Sequence, residues 1–313
     1  MIDKLEMFIA LAHERHFGRA AEAVGVTQPT LSSAVKQLED QLGVQLVHRG
    51  SRFQGLTPEG QRVYDRALRI IADTRALRDE MRAVRSGLTG DLRIGVIPTA
   101  LPMVADLTAP FTERHPNVRV MILSRTSSEI LGQIDALELD AGITYLDPAP
   151  ARRHAQLPLY RESYCLLVAA HDKMALRDRV SWAEVGQMSL CLLTRDMQNR
   201  RIVDHHLARV GAAVSPMVES NSMIALVGHV LTGRWVSVVS SIMAAAFAGM
   251  GGLVAIPIVP GKGEAGESQT VGIVAAQREP HTPVLAALLA QAQALGRSAR
   301  YHATMGGGDR PDQ

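Results

Sequence analysis

From Asp91 onward the chain keeps switching between two periodicities. Short apolar runs (DLRIGVIP, NVRVMIL, LDAGITY, SYCLLVAA, MSLCLLT, WVSVVSS, LVAIPIV and TVGIVAA) read as strands. Helix-like segments separate them, such as Met103 to Arg114, Ser128 to Leu137, Arg200 to Val210 and Asn221 to Leu231. Such alternation has to stack helices on sheet, which specifies an α/β fold with mainly parallel strands. About eight strands in roughly 200 residues suggest two sub-domains. The first is expected at about 91–161 with 268–300, and the second at about 162–267.

Residues 1–57 carry a different pattern: helix, helix, turn, helix, short basic loop. Leu5, Phe8, Ile9 and Ala12 give the first helix one apolar face. Phe17 to Val24 forms a second helix whose Ala20, Ala21 and Ala23 allow another helix to approach closely. Gly25 supplies the left-handed position that ends helices. In VTQPTLSSAVKQLE, Leu31, Val35 and Leu38 fall at the spacing of one buried helical face. Thr27 is placed to cap that helix, and Pro29 lies in the first turn, where no intrahelical N–H is required.

The opposite face carries Gln28, Thr30, Ser32, Ser33 and Lys36. Small residues, a glycine turn and a capped helix with a polar N-terminal face make a helix-turn-helix, whose second helix enters the DNA major groove by its first turns. Glutamine suits adenine, while hydroxyls bond bases or phosphates less selectively. Thr27 and Pro29, at the helix start, belong to the same contact surface. His48, Arg49 and Arg52 in QLVHRGSRFQGLT are placed like a wing touching backbone or minor groove.

Residues 58–86 form one long helical pattern that opens on Pro58. Val63, Ala67, Ile70, Thr74, Leu77, Met81 and Val84 alternate spacings of four and three, a heptad seam. So small a domain offers this seam few neighbours, which favours dimerisation. SGLTG gives a hinge at 87–90, and the tail 301–313 has the composition of a disordered segment.

Bulk composition narrows the class. The 313 residues carry 33 Lys/Arg and 31 Asp/Glu. Residues 1–90 hold 13 basic and 11 acidic side chains, leaving 20 and 20 for the rest, so the small excess is N-terminal. A nucleic-acid argument therefore rests on placement of charge, not on its sum. No apolar run of about 18 residues predicts a membrane span. The N-terminus lacks signal-peptide features, so a cytoplasmic protein is expected. Cys165 and Cys191 each sit in an apolar strand, giving neither a disulfide framework nor zinc spacing. A redox-sensing pair is the alternative role for them. No metal or cofactor is expected.

The first 90 residues resemble the DNA-binding arm of LysR-type transcriptional regulators. The matching stretch is FGRAAEAVGVTQPTLSSAVKQLEDQLGVQLVHR followed by LTPEGQ, dense and without gaps. The remainder is similar to the family's effector domain, built like a type 2 periplasmic binding protein. This resemblance implies a winged helix-turn-helix, a long dimerisation helix, a homotetramer, promoter DNA as partner and control by a small-molecule effector. The chain departs from the family pattern in places. Ser33 stands where many members carry Arg, and Val47 and His48 replace the usual Phe-Glu before Arg49. Leu137 replaces a glycine before ELD, while Trp235 and Ser240 replace a common glycine and proline.

Binding-protein clefts lie between sub-domains at helix N-termini, where free N–H groups favour anions. Thr99 and Ala100 follow a strand and precede a helix; Thr126 and Ser127 open another. Thr194, Met197, Gln198 and Asn199 open a third, from the other sub-domain. These residues match cleft-lining positions of the family, and together they suggest a small anion such as a short carboxylate or inorganic oxyanion.

An enzyme is the first rival class. The chain has no G-x-S-x-G, no H-E-x-x-H and no dinucleotide fingerprint. PGKGE around Lys262 lacks the Ser/Thr and the helix of a phosphate loop, and His205-His206 is adjacent, sharing no helical face for a metal. A solute-binding protein, the second rival, would have no use for residues 1–90. The expectation is therefore a DNA-binding regulator and not an enzyme.

Overall fold

A computed structural model describes residues 1–48, 53–147, 154–247, 251–260, 268–277 and 280–297. The chain divides into two compact units, Met1–Ser86 and Gly87–Gln313.

The first unit contains α1 (Ile2–Glu14), α2 (Phe17–Ala23), α3 (Gln28–Leu42) and α4 (Pro58–Ser86). Leu5, Phe8 and Leu11 of α1 meet Ala20 and Ala21 of α2 and Leu31, Val35 and Leu38 of α3 in one core. Gly25 takes φ 71°, a conformation costly for side chains, and lets the chain reverse between α2 and α3. After α3 the chain forms a short antiparallel bridge, Val47 to Leu56. Glu39 ties this bridge to α3 by accepting from the backbone N–H of Leu46 (2.7 Å) and Val47 (3.2 Å).

In the second unit the chain runs β1 (Gly90–Val96), α5 (Leu101–Arg114), β2 (Val118–Ser124), α6 (Ser127–Asp135), β3 (Ala141–Tyr145) and β4 (His154–Arg161). It then builds β5 (Tyr164–Ala169), β6 (Val180–Ser181), α7 (Trp182–Val185), β7 (Cys191–Leu193), α8 (Gln198–Arg209), β8 (Val218–Ser220) and α9 (Met223–Leu231). Last come β9 (Ser237–Ser240), α10 (Ser241–Phe247), β10 (Leu253–Val259), β11 (Thr270–Ala276) and α11 (Pro283–Gly296).

Two main sheets result, in the orders β2-β1-β3-β11-β4 and β6-β10-β5-β9. The pair β7-β8 joins the second through a Leu190–Val236 bridge. All eight strand-like runs are strands, but the expectation of mainly parallel sheets needs correction. β11 runs antiparallel to both β3 and β4, and β5 runs antiparallel to both β10 and β9. The reason is the double crossover: the chain leaves the first sheet after β4, builds the second, and returns as β11 from the opposite end. The two crossovers touch, with the Glu162 N–H donating to the Gln269 carbonyl at 2.8 Å.

Strand β4 was not expected from the sequence. Its HAQLPLYR has a proline at its centre and no clean alternation. It is an edge strand, where proline is tolerated, and Pro158 lies opposite Gly272 beside a register shift. Leu137 has φ 60°, so the position where relatives carry glycine demands the left-handed conformation. A leucine there costs about 1–2 kcal/mol.

Candidate functional site: a helix-turn-helix face and a cleft between sub-domains

On α3 the expected division of faces is present. Leu31, Val35 and Leu38 are buried, while Thr27, Gln28, Pro29, Thr30, Ser32, Ser33 and Lys36 are all exposed. Thr27 caps the helix: its side chain accepts the Thr30 N–H at 3.4 Å, and its hydroxyl lies 2.8 Å from that of Thr30. Ser33 accepts from the Gln37 amide at 3.3 Å. His48 is exposed and its N–H donates to the Gly55 carbonyl, holding the base of the loop closed. Arg49 and Arg52 lie outside the described residues.

The α4 seam divides. Ala67 is buried in the core of its own unit, together with Ile71 off the seam, and Val63 packs against that core. These two positions are therefore used within the unit rather than offered to a partner. Further along, Ile70, Leu77 and Met81 are 43%, 59% and 53% exposed, with half-buried Thr74 between them. The Val84 side chain lies outside the described residues.

In the second unit a cavity of about 620 Å³ opens between the two sheets' helices. Pro98, Leu101 and Thr126 line it from the first sub-domain, and Met197, Ser222 and Phe247 from the second. Of the expected effector residues, only Thr126 and Met197 reach this cavity. Thr99, Ala100, Ser127 and Asn199 are buried, and Thr194 is half-buried. Gln198 lines a separate cavity with Arg201, Ile202, His205, His206 and Gln269. His205 and His206 both line that cavity, their ring centroids 6.2 Å apart.

The three helix N-termini are not equivalent. At α6 a complete capping box uses the free N–H groups: Thr126 N–H donates to Glu129 Oε2 at 2.7 Å, and Glu129 N–H to Thr126 Oγ1 at 3.2 Å. The Thr126 backbone N–H, then its hydroxyl, holds the Glu129 carboxyl below the usual range, so a carboxylate already sits at this helix end. By contrast, Met197 and Ser222, the N-caps of α8 and α9, supply no side-chain acceptor. Arg125, Glu129 and Asp196 place charge around the cavity, and Met223, Met243 and Phe247 give it an apolar wall.

Behind the cavity lies a buried polar cluster that spacing did not reveal. Glu162, in the first crossover, is only 1% exposed. Its Oε2 accepts from Tyr145 at 2.6 Å and Tyr164 at 2.9 Å, one phenol from each sub-domain. Tyr145 in turn accepts from the Asn199 amide at 3.3 Å and lies 3.4 Å from the Thr99 hydroxyl. Burial, first of all, pushes the Glu162 carboxyl up to about 7. Burial and then the Glu162 charge push both phenols well above their usual values. The only sequence signal was an acidic residue between two strands, which is common in loops.

Arg200 fixes the start of α8. Fully buried, it donates to Asp204 (2.8 Å), the Leu193 carbonyl (2.7 Å) and Glu219 (2.6 Å). Among the described residues, no group of His, Cys, Asp and Glu could hold a metal ion. No described helix is long and apolar enough to cross a membrane.

The cysteines are set apart by strand order. β9 lies between β5 and β7: Cys165 pairs with Val239, and the Cys191 N–H donates to the Val236 carbonyl. Strands two places apart are separated by about 9–10 Å, whereas a disulfide needs Cα atoms within about 7 Å. Burial also pushes both thiols to about 11, away from reactive thiolate.

Known proteins share both units. Residues 2–61 match the model of bacterial regulatory helix-turn-helix proteins of the lysR family, and residues 85–297 match the LysR substrate binding domain. A hydrogen peroxide-inducible genes activator from Dickeya chrysanthemi is 31% identical over 193 residues, 61% of this chain and 63% of that protein. The DNA-binding transcriptional dual regulator OxyR of Escherichia coli K12 gives the same identity and coverage. The match therefore spans less than two thirds of these relatives' length. A full-length OxyR variant from Pseudomonas aeruginosa superposes with a TM-score of 0.74 at 25% identity, covering 99% of both chains. With family models matching residues 2–61 and 85–297, most of the chain, the chain belongs to the LysR family.

Proposed function

We propose that this chain is a transcriptional regulator that binds double-stranded promoter DNA through α3 and responds to a small-molecule effector in the cleft of its second unit. The observation that carries the reading is the outward polar face of α3, capped by Thr27 and anchored by Leu31, Val35 and Leu38. A relative 31% identical bears the name of a DNA-binding transcriptional regulator. In this reading Gln28, Thr30, Ser32, Ser33 and Lys36 face the major groove, His48, Arg49 and Arg52 form the wing, and α4 joins two chains of a homotetramer. The protein acts in the cytoplasm and performs no catalysis.

The effector we propose is a short carboxylate with an apolar body. The open N-termini of α8 and α9 favour its charge, and Met223, Met243 and Phe247 favour its apolar part. The capped α6 N-terminus does not take part. Effector binding shifts the population of two sub-domain arrangements, because only differential affinity can move such an equilibrium. The relatives' names raise a peroxide response, but the separation of Cys165 and Cys191 argues against a disulfide between them as its basis.

The test is binding to the regulator's own promoter at several salt concentrations. Gln28→Ala should weaken specific binding by about 1–3 kcal/mol. Lys36→Ala should lower the salt slope by about one counterion while leaving sequence preference intact. Unchanged affinity and slope in both variants would remove α3 as the recognition helix.

A further inference from the structure

The turn between α1 and α2 presents a side chain that neither helix uses in its core. Arg15 takes φ 50° and ends α1, and His16 follows in extended conformation (φ −156°, ψ 120°) as the N-cap of α2. Arg19 clamps this turn: its Nη2 donates to the Glu14 carbonyl at 2.7 Å and its Nε to Glu14 Oε2 at 3.4 Å. The backbone of His16 is therefore held in place, while its side chain stays exposed.

The imidazole is held as well. The Gly18 and Arg19 N–H groups donate to His16 Nδ1 at 3.1 and 3.3 Å. These are two of the donors that every helix start leaves without an intrahelical partner. A backbone N–H can only donate, so Nδ1 accepts and carries no proton. The ring proton then sits on Nε2, where it makes an outward donor. The cap thereby fixes one tautomer.

The ring also has a set position relative to α3. An added Cβ on Gly18 would lie 3.1 Å from His16 Cε1 and 3.7 Å from Gln28 Oε1. The imidazole and the Gln28 amide thus flank the same glycine, which has no side chain to part them. Cε1 is bonded to Nε2, so the donor is one atom beyond the edge that meets Gly18. Gln28 is the first residue of α3 and is exposed. In a helix-turn-helix the start of the second helix meets base edges while the first helix crosses the DNA backbone. His16 stands where these two contacts adjoin.

We infer that His16 is a DNA-contact residue: its Nε2–H donates, as a neutral imidazole, to a phosphate oxygen beside the bases that the start of α3 reads. The inference rests on the reading of α3 as the recognition helix. A phosphate contact of this kind fixes register and orientation and carries no sequence information itself. Being uncharged, it displaces no counterion, which separates it from Lys36. Arg19 is turned back onto Glu14 and holds the turn instead.

The experiment is fluorescence anisotropy of the full chain at several salt concentrations, on a labelled duplex of the regulator's own promoter and on a duplex of unrelated sequence. Two variants divide the roles of the two ring nitrogens. His16→Asn keeps an acceptor where Nδ1 caps the helix and loses the distal N–H. His16→Gln keeps a distal N–H and is a poor cap. His16→Asn should keep the wild-type melting temperature and bind both duplexes about tenfold more weakly, with the salt slope unchanged. His16→Gln should melt lower and still bind within about threefold of the wild type. The reverse order, with affinity following melting temperature, would reduce His16 to a cap and overturn the contact. Wild-type affinity in His16→Asn overturns it too, as does a slope lowered by about one counterion, which would make the contact ionic. Gln28→Ala, measured alongside, keeps the two readings apart. Loss of promoter affinity there with none in His16→Asn overturns the His16 contact alone, and loss in neither overturns α3 as the recognition helix as well.

Discussion

Glu162 is sealed between two phenols, where an ionised carboxylate loses its water and gains only part of the compensation. Tyr145 and Tyr164 both donate to Oε2, and Oε1 is buried with no hydrogen-bond partner among the described residues. Desolvation therefore outweighs the hydrogen bonds and raises the folded-state value to about 7. In the unfolded chain the same group titrates near the ordinary glutamate value of about 4.3. Between these values the folded state binds more protons than the unfolded state, so stability falls as pH rises through the window and levels off above about 7. The full span corresponds to roughly 4 kcal/mol. Glu162→Gln keeps an acceptor for the phenols and has no proton to lose. Urea unfolding at pH 5 and pH 7.5 should show the wild type losing about 2.5 kcal/mol more than the variant across that interval. Parallel losses in the two proteins would mean that Glu162 is not the titrating group.

At the scale of elements, the start of α4 shows how the motif LTPEG translates into contacts. Thr57 caps the helix by accepting the Gly60 N–H at 2.9 Å, and its hydroxyl donates to the Gln45 carbonyl at 2.6 Å. Gly60 packs so closely on the bridge strand that an added Cβ would meet the Leu46 carbonyl oxygen at 1.9 Å. Gly60→Ala must therefore push α4 off the bridge, and a destabilisation of about 1–3 kcal/mol is expected. Thr57→Ala should lose about 1 kcal/mol through the cap alone. Chemical denaturation of the two variants measures both, and a neutral Gly60→Ala would show that the contact yields without cost. Local rules of this kind made α3 and α4 legible in the sequence: a cap, a proline in the first turn and a periodic apolar face each leave a signature within a few residues. The cleft was less legible for the same reason. A helix start after a strand identified Thr126 and Met197, but whether Thr99 or Asn199 faces a cavity or a neighbouring phenol depends on contacts with Tyr145, far along the chain. Strand β4 and the hinge carboxylate were hidden likewise, since a central proline and a lone glutamate acquire their roles only when β11 returns beside them.

At the scale of the whole molecule, the exposed half of the α4 seam is the feature a single chain leaves unexplained. Val63 and Ala67 serve their own core, but Ile70, Leu77 and Met81 present apolar side chains to solvent along the same seam. A second copy running alongside would cover them symmetrically, each residue meeting its counterpart's surroundings in an isologous contact. Burying a large aliphatic side chain is worth about 1.5–3 kcal/mol, and a two-fold axis counts every substitution twice. Leu77→Glu combined with Met81→Glu therefore removes four such side chains from the dimer and places four carboxylates against one another. Neither residue belongs to the core of its own unit, so the monomer should fold with an unchanged far-ultraviolet spectrum. Sedimentation at micromolar concentration should show the wild type as a dimer or larger and the variant as a monomer. Promoter affinity should fall with it, because two recognition helices must be held about one helical turn of DNA, roughly 34–36 Å, apart to read two half-sites together. A variant that still sediments as the wild type would assign self-association to another surface. A monomeric variant with full promoter affinity would separate DNA recognition from the α4 seam.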